Sequence, residues 1–165
     1  MSVKPVSLVI PVYNQLDYTR QCLESIVRCT DQSYELIIVD NASTDGTSEF
    51  LKDVKATIIT NQHNLGCAKA WNQGVRASHG DIIGILNNDI VVTKGWIEGL
   101  MKFMEKTSHG IVSPAAREGH LKYDLDAYAI EFTQSCQDAT RAELYGACLV
   151  IKRDVFDRVG LFDEG

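Results

Sequence analysis

Three side chains that suit nucleotide and metal chemistry each stand just after a short apolar run of the sequence. Tyr13 is an aromatic ring that can stack on a nucleobase. Asp40 can accept hydrogen bonds from a base N–H or a ribose hydroxyl. Asp89, at the end of an Asn-Asn-Asp run, is a hard oxygen ligand of the kind that Mg²⁺ and Mn²⁺ prefer. Together they predict a site for a nucleotide and for a divalent cation that neutralises the phosphates of that nucleotide.

Two common phosphate-binding devices are excluded by the sequence. The segment after the first apolar run, Pro11–Gln15, contains no glycine, so a pyrophosphate could not approach the backbone as it does in G-x-G-x-x-G folds. No G-x-x-x-x-G-K-[ST] segment occurs either, which removes the P-loop. The phosphates of a bound nucleotide therefore need another partner, and a cation held by Asp89 fills that role.

The elements that must position these residues alternate along the first half of the chain. Four β-branched runs predict buried strands at Val6–Val12, Leu36–Val39, Thr57–Thr60 and Ile82–Leu86. Helical patterns separate them: residues 16–30 with Asn14 as the N-cap, a short helix with Phe50 and Leu51, and a helix from Cys67 to Ser78. This order predicts an α/β fold with a mostly parallel sheet, right-handed crossovers and helices on both faces.

The second half of the chain is less regular. We predict a helix at Trp96–Met104, strands at Ile111–Val112 and Ala147–Ile151, and a helix at Asp154–Val159. The stretch Arg117–Ala142 has no clear period. No repeat or linker interrupts the chain, so we predict one domain over residues 1–165.

Polar residues follow each of the first four predicted strands. In an open parallel sheet, ligands bind outside the carboxyl ends of the strands, where the strand order reverses. These four ends therefore converge on one rim, and we expect their polar residues to form a single site. They are Tyr13–Asn14, Asp40–Asn41, Asn61–Asn64 and Asn87–Asn88–Asp89.

Composition limits the class of partner and compartment. The chain has 165 residues with 22 acidic and 16 basic side chains, a net charge of −6, which argues against a broad nucleic-acid surface. No apolar stretch approaches the roughly 18 residues that span a bilayer. The five widely spaced cysteines indicate reduced thiols. We expect a cytoplasmic location, with peripheral association at the inner face of the membrane as an open alternative.

Five segments, in order, resemble glycosyltransferase family 2, the GT-A-fold enzymes that use nucleotide sugars. Ser7–Asn14 and Ile38–Thr47 are similar to the family's opening. Asn64–Gly74 is similar to its N-x-G-x-[AG]-x-[AG]-x-N-x-G helix start. Asn87–Asp89 followed by Gly95–Trp96 resembles its D-x-D and G-W segments. The last segment, Gly146–Arg153 with Gly160–Glu164, is similar to the family's glycine-to-arginine stretch followed by G-x-F-D-E.

The resemblance implies a role for each of these positions. The nucleoside pocket would involve Pro11, Tyr13, Asn14, Asp40, Asn41, Asp45 and Asn88, with Asn64, Gly66 and Asn72 shaping its wall. Asp89, helped by Asn87, would bind Mg²⁺ or Mn²⁺, and Trp96 would lie on the acceptor side. Residues 1–92 would be the nucleotide-binding half and residues 93–165 the start of the acceptor-side half.

The implied reaction moves a sugar from a UDP- or dTDP-linked donor to a saccharide or lipid-linked acceptor hydroxyl, with inversion, in cell-surface polysaccharide synthesis. Two departures matter. Asn87 stands where the family has the first Asp of D-x-D, which weakens metal binding. The general base is expected beyond Gly165, so we expect a truncated enzyme, and Asp163 and Glu164 are weak candidates for that role.

Two other readings stay open. The chain could be a non-catalytic nucleotide-sugar-binding fragment that lacks the general base. A receiver-like α/β module is the other, but it predicts an acidic cluster after the first strand, where this sequence has Pro11–Asn14. Individual residues also have structural readings: Asp40 and Asn41 as strand ends, Asn64 and Asn72 as loop or cap residues, and Trp96 as a core aromatic.

Overall fold

A computed structural model describes residues 5–119, 122–135 and 144–165 of the chain. Helices and strands alternate through most of these ranges. In chain order they are β1 (Val6–Val12), α1 (Leu16–Cys29), β2 (Tyr34–Asp40), α2 (Thr47–Leu51), β3 (Thr57–Thr60), α3 (Cys67–Ala77), β4 (Ile82–Leu86), α4 (Trp96–Thr107), β5 (Ile111–Val112), α5 (Leu125–Ser135), β6 (Cys148–Lys152) and α6 (Arg153–Val159).

The described strands form one mixed sheet in the order β3-β2-β1-β4-β6-β5. The first four are parallel to one another, and β6 runs antiparallel to both β4 and β5. The α/β fold with a mostly parallel sheet is therefore confirmed. The chain builds β1, β2 and β3 outward in one direction and then returns to place β4 on the other side of β1. The strand order thus reverses between β1 and β4.

The pairing of β1 with β4 ends before Pro11, at this reversal. The N–H of Asn41 donates to the carbonyl of Val12, so the backbone groups of even-numbered residues at this end of β1 face β2, and those of Pro11 face β4. Proline has no N–H to donate. The pairing of β1 with β4 stops at Val9, opposite Ile85. Pro11 therefore lies beyond the last paired residue of β1 on the β4 side.

The sheet is buried on both faces, as its continuous apolar strands predict. On one face, α1, α2 and α4 pack against side chains that include Leu8, Ile10 and Ile38. On the other, α3 and α6 pack against Val9, Ile37 and their neighbours. None of the described helices is both long and apolar enough to cross a bilayer.

Two local predictions were wrong. Helix α1 begins at Leu16 and Asn14 is not its N-cap, because Asn14 and Gln15 both adopt left-handed backbone conformations, with φ of 57° and 63°. The stretch predicted to be irregular contains α5, which buries none of its side chains and so lacks the apolar period of a core helix. Part of that stretch, residues 120–121 and 136–142, lies outside the described residues. The remaining elements differ from prediction by a few residues at their ends.

At the end of the sheet opposite the rim, Glu35 joins three segments. Its carboxylate accepts hydrogen bonds from the Ser7 hydroxyl and from the N–H groups of His79 and Gly80, and it lies 3.1 Å from the His79 ring nitrogen Nδ1. Burial raises the pKa of Glu35, but these hydrogen bonds outweigh burial and hold the pKa below the ordinary value of 4.5.

We expect Glu35 to make the folded protein acid-sensitive. Because the pKa of Glu35 is lower in the folded than in the unfolded protein, the unfolded chain takes up the proton first as the pH falls. The stabilisation by Glu35 is therefore present above pH 4.5 and is lost as the pH falls through the pKa of the folded protein. Urea unfolding between about pH 6 and pH 3 measures this loss. Glu35→Gln should flatten that slope, whereas Glu105→Gln, an exposed control, should leave it unchanged. Equal slopes for wild type and Glu35→Gln would contradict the assignment.

Candidate functional site

Two loops at the carboxyl end of the sheet are tied to each other. The N–H of Asn14, after β1, donates to the Ser43 hydroxyl at 2.8 Å, and the Asn14 side-chain oxygen accepts from the N–H of Thr44 at 2.7 Å. The Asp45 carboxylate accepts from the N–H of Leu16 at 3.0 Å. The β2–α2 loop therefore supplies the cap that α1 lacks in its own sequence, and it fixes the position of Asn14.

These loops hold strained backbone. Asn14, Gln15 and Ala42 all have positive φ, with 66° at Ala42. For residues other than glycine, such conformations cost on the order of 1 kcal/mol each and persist only where surrounding contacts enforce them. Tyr13, the neighbour of Asn14, is half exposed. Strain beside an exposed aromatic ring is typical of a ligand site.

The structure places Asp40 and Asp45 in hydrogen bonds to other residues of the turn and of the start of α2. Asp40 is fully buried, and its carboxylate accepts hydrogen bonds from the Ser43 N–H at 2.9 Å and from the Ser48 hydroxyl. Asp45 is exposed and accepts from the hydroxyl and the N–H of Thr47 at 2.6 and 3.1 Å. The Thr47 hydroxyl is the main cause of the lowered pKa of Asp45. Both carboxylates shape the loop that surrounds the site.

An amide network holds the next loop, between β3 and α3. The side-chain oxygen of Asn41 accepts from Asn61 at 2.8 Å, its amide nitrogen donates to the carbonyl of Gly66, and Asn61 exchanges two hydrogen bonds with Gln73. Asn64 accepts from the N–H of Gly66, where φ is 83°. Asn41, Asn64 and Gly66 are thus brought together, and both asparagines hold the loop by hydrogen bonds.

Asn72 does not face this loop. It is buried on α3, its amide nitrogen donates to the carbonyl of Phe162 and to the Glu164 carboxylate, both at 2.8 Å, and its oxygen accepts from the Phe162 N–H. The Glu164 carboxylate also lies 3.7 Å from the Arg76 guanidinium. The predicted wall position of Asn72 is therefore corrected: Asn72 fastens the segment that carries Asp163 and Glu164 to α3.

We expect Asn72→Ala to release this segment. Loss of three hydrogen bonds should reduce the free energy of unfolding by about 1–3 kcal/mol. The amide proton of Phe162 should exchange roughly tenfold faster, because its acceptor is removed. Hydrogen–deuterium exchange measures this effect, with Gln32→Ala, in an exposed loop, as the control. Unchanged exchange at Phe162 would show that the ring contacts with Trp71 and Phe156 hold the segment without Asn72.

The turn after β4 carries Asp89 and is hydrogen-bonded to side chains of α1. The Asn88 amide donates to the Thr19 hydroxyl at 2.9 Å, and the Cys22 thiol lies 3.6 Å from the carbonyl of Asn87. Asp89 is exposed. Burial raises the pKa of Cys22 to about 12, and the nearby negative charge of Asp89 adds to the rise. Asp89 follows β4 and therefore stands at the reversal of strand order.

The donor set at this turn fits a cation that arrives with phosphate. Among the described residues, no three His, Cys, Asp or Glu side chains lie close enough to hold a metal ion together. A single carboxylate, Asp89, with the amides of Asn87 and Asn88 beside it, is a poor cage for a resident metal. It suits Mg²⁺ or Mn²⁺, because these ions are commonly bound by one or two carboxylates, substrate phosphates and water.

Trp96 lies far from this turn. The chain from Asn87 to Trp96 runs along α1: Val92 donates to Ser25, and the Trp96 indole N–H donates to the Thr30 hydroxyl at 2.9 Å. Thr30 follows the last residue of α1, about 16 Å along the helix axis from Thr19. The ring also packs against the core. Trp96 has a packing role at the opposite end of the sheet, and we leave it out of the proposed site.

Sequence reasoning missed the residues that hold the loops. Ser43 and Thr44 lie in a turn that is rich in small polar residues, and Ser48 lies in the first turn of α2. That composition could have indicated side-chain to backbone bonds. Thr19 and Ser25 are buried polar residues on the inner face of α1. A hydroxyl on the apolar face of a predicted helix needs a partner, and this requirement could have pointed to the docked turn.

A mostly parallel sheet whose strand order reverses at a rim of polar residues defines an α/β domain with a ligand site expected at that rim. The sequence model of the family described as "Glycosyl transferase family 2" matches residues 7–160. The chain belongs to this family. Glycosyltransferase GlyG of Streptococcus pneumoniae serotype 4 is 30% identical over 112 residues, which are 65% of this chain and 37% of GlyG. The uncharacterized glycosyltransferase EpsJ of Bacillus subtilis is 28% identical over 96% of this chain and 51% of its own length.

Solved structures share the fold. The mannosyltransferase PcManGT from Pyrobaculum calidifontis, in complex with GDP-Man and Mn²⁺, has a TM-score of 0.74 and 23% identity, covering 99% of this chain and 49% of its own. S. aureus TarS 1-349 in complex with UDP has a TM-score of 0.72 and 15% identity, covering 97% of this chain and 50% of its own. These neighbours confirm the GT-A fold. The chain spans about half the length of the proteins that it matches most fully.

Proposed function

We propose that this chain forms the donor-binding part of an inverting, metal-dependent glycosyltransferase that moves a sugar from a nucleoside-diphosphate sugar to an acceptor hydroxyl. The observation that carries the proposal is the position of Asp89. It is an exposed carboxylate at the reversal of strand order, and the two interlocked loops with half-exposed Tyr13 lie beside it. Membership of glycosyltransferase family 2 supports the same function.

The residues around this point divide the work of binding. Tyr13 stacks on the nucleobase. Asn14, held by Ser43 and Thr44, lies next to the nucleoside. Asp40, Asn41 and Asp45 keep the two loops rigid, so that little conformational entropy is lost when the nucleotide binds. Pro11 has no N–H to pair with β4, so the end of β1 beside the diphosphate stays unpaired on that side.

Asp89, with Asn87 and Asn88 beside it, would hold Mg²⁺ or Mn²⁺, which stabilises the charge on the departing nucleoside diphosphate when it is bound. Asn87 replaces a negative ligand by a neutral one, so the affinity for the cation depends more strongly on the phosphates of the substrate. PcManGT is described in complex with Mn²⁺ and GDP-Man, which supports a divalent cation here.

For the acceptor, the proposal names a chemical class and no binding residue. Inverting transfer needs a carboxylate that removes the proton from the acceptor hydroxyl. Glu164 is bound to Asn72, and Asp163 accepts a hydrogen bond from the N–H of Gly165 at 3.1 Å, so neither is assigned that role. We propose a saccharide or lipid-linked acceptor, synthesis of a cell-surface polysaccharide and a cytoplasmic site of action.

Calorimetric titration of UDP, dTDP and GDP, each with and without Mn²⁺, tests the donor site directly. UDP and dTDP follow from the sequence resemblance, and GDP is included because PcManGT binds GDP-Man. We expect one of the three to bind at least about tenfold more tightly with Mn²⁺, a gain of about 1.4 kcal/mol. Binding of none of them by the folded chain would reject the donor-site proposal.

A further inference from the structure

The rim continues past Asp89 onto the neighbouring strand. Because β6 is antiparallel to β4, its beginning lies at this rim: Cys148 pairs with Leu86, and the N–H of Asn87 donates to the carbonyl of Ala147 at 2.9 Å. Adjacent strands lie about 4.8 Å apart. The segment 144–146 therefore stands immediately beyond the Asn87–Asp89 turn, on the side away from β1.

A sugar nucleotide is linear, with the nucleoside at one end, the diphosphate in the middle and the sugar at the other end. On the proposed function, the nucleoside lies over β1 and β2 and the diphosphate meets the cation at Asp89, after β4. Continuing along the strand order β2-β1-β4-β6 places the sugar over the beginning of β6. Of the described residues of that segment, Leu144 and Tyr145 are both exposed, at 54% and 38%, and Tyr145 is the one with a polar group.

Tyr145 is held in place at both its backbone and its hydroxyl. The Ser113 hydroxyl accepts from the Tyr145 N–H and donates to the Tyr145 carbonyl, both at 3.1 Å. The phenol donates to the Glu118 carboxylate at 2.7 Å. That hydrogen bond is the main cause of the raised pKa of Tyr145, and the charges of Glu118 and Asp89 add to it.

We propose that Tyr145, with Glu118 bound to its hydroxyl, is a specificity-determining contact for the sugar of the donor; this inference rests on the proposed function. The proton of the phenol is committed to Glu118, so the phenol oxygen accepts a hydrogen bond from a sugar hydroxyl. Glu118 keeps free lone pairs for a second sugar hydroxyl. The face of the ring covers the apolar C–H face of a hexose.

The test compares nucleoside diphosphates with their sugar forms, in Mn²⁺, on the same 165-residue chain. The probes are UDP, GDP and dTDP, then UDP-glucose, UDP-N-acetylglucosamine, GDP-mannose and dTDP-glucose. Tyr145→Phe keeps the ring and removes the hydroxyl, and Glu118→Gln removes the charge. Tyr34→Phe, at the opposite end of the sheet in the first residue of β2, is the control.

We expect Tyr145→Phe and Glu118→Gln each to raise the Kd of the bound sugar nucleotide about tenfold, the size of one lost hydrogen bond to a charged network. The Kd of the matching diphosphate should change by less than about twofold, because the contact is to the sugar alone. This inference is overturned if the variants weaken both ligands equally or change neither. It is also overturned if the wild type binds the diphosphate and its sugar form with the same affinity. Absence of any Mn²⁺-dependent binding by the wild type overturns the proposed function itself.

Discussion

Replacement of Asp89 by alanine is expected to abolish the gain in nucleotide affinity that Mn²⁺ provides. Among the described residues, Asp89 is the one anionic ligand in the proposed site, so its removal leaves neutral Asn87 and Asn88 beside the diphosphate. We expect the Kd for the bound nucleoside diphosphate in Mn²⁺ to rise at least tenfold, to about the value measured without metal. Calorimetric titration with and without Mn²⁺ measures both values.

Two further variants sharpen this test. Asp53→Ala removes an exposed carboxylate at the end of α2 and should leave the Mn²⁺ effect intact. Asn87→Asp adds the second carboxylate that the family motif has, and it should make the Mn²⁺ effect larger than in the wild type. If Asp89→Ala retained the full Mn²⁺ effect, the cation would be bound elsewhere and the assignment of this turn would be wrong.

Gly74→Ala is expected to produce the largest loss of stability among conservative changes in α3. A Cβ built on Gly74 lies 2.2 Å from Cγ1 of Val9, so α3 packs against β1 with no room for a methyl group. Overpacking of this kind costs about 1–3 kcal/mol, which outweighs the gain of up to about 1 kcal/mol that alanine provides over glycine inside a helix. Each kcal/mol lowers Tm by about 2–4 °C in a chain of this size.

Gly99→Ala is the matched control, because Gly99 also lies inside a helix, α4, but a Cβ there meets no atom within 4 Å. This change should raise stability by about 0.5–1 kcal/mol. In a Val9→Ala background, Gly74→Ala should cost less than in the wild type, since the clashing methyl group is gone. If Gly74→Ala and Gly99→Ala changed the free energy of unfolding by similar amounts, α3 and β1 would accommodate the added methyl group with no loss of stability.

The regular core followed from local patterns. Val6–Val12 and Ile82–Leu86 read as buried strands because every residue in them is apolar or small, and a strand covered on both faces needs such a run. The alternation of strands and helices then required a parallel sheet, and parallel strands require that polar strand ends converge. Placing Tyr13, Asn41 and Asp89 at one rim needed no knowledge of side-chain contacts.

Side-chain roles were harder to predict, because hydrogen-bond partners lie far apart in the sequence. Asn72 and Phe162 are 90 residues apart, and the spacing around Asn72 carries no sign of that contact. Asp40 was predicted to reach a ligand, yet Ser43 and Ser48 surround its carboxylate. Buried polar groups take the nearest available partner, and only the packed chain determines which partner that is.

The sequence by itself determined the fold class, the family and the edge of the sheet where the site lies, because these depend on periodicity, chain order and short motifs. The tertiary structure alone decided the orientation of each residue: the interlocking of Asn14 with Ser43, the docking of the Asp89 turn on α1, and the placement of Tyr145 next to that turn through the antiparallel strand β6. Those contacts depend on the direction and register of strands that pair across long sequence separations, which local patterns do not encode.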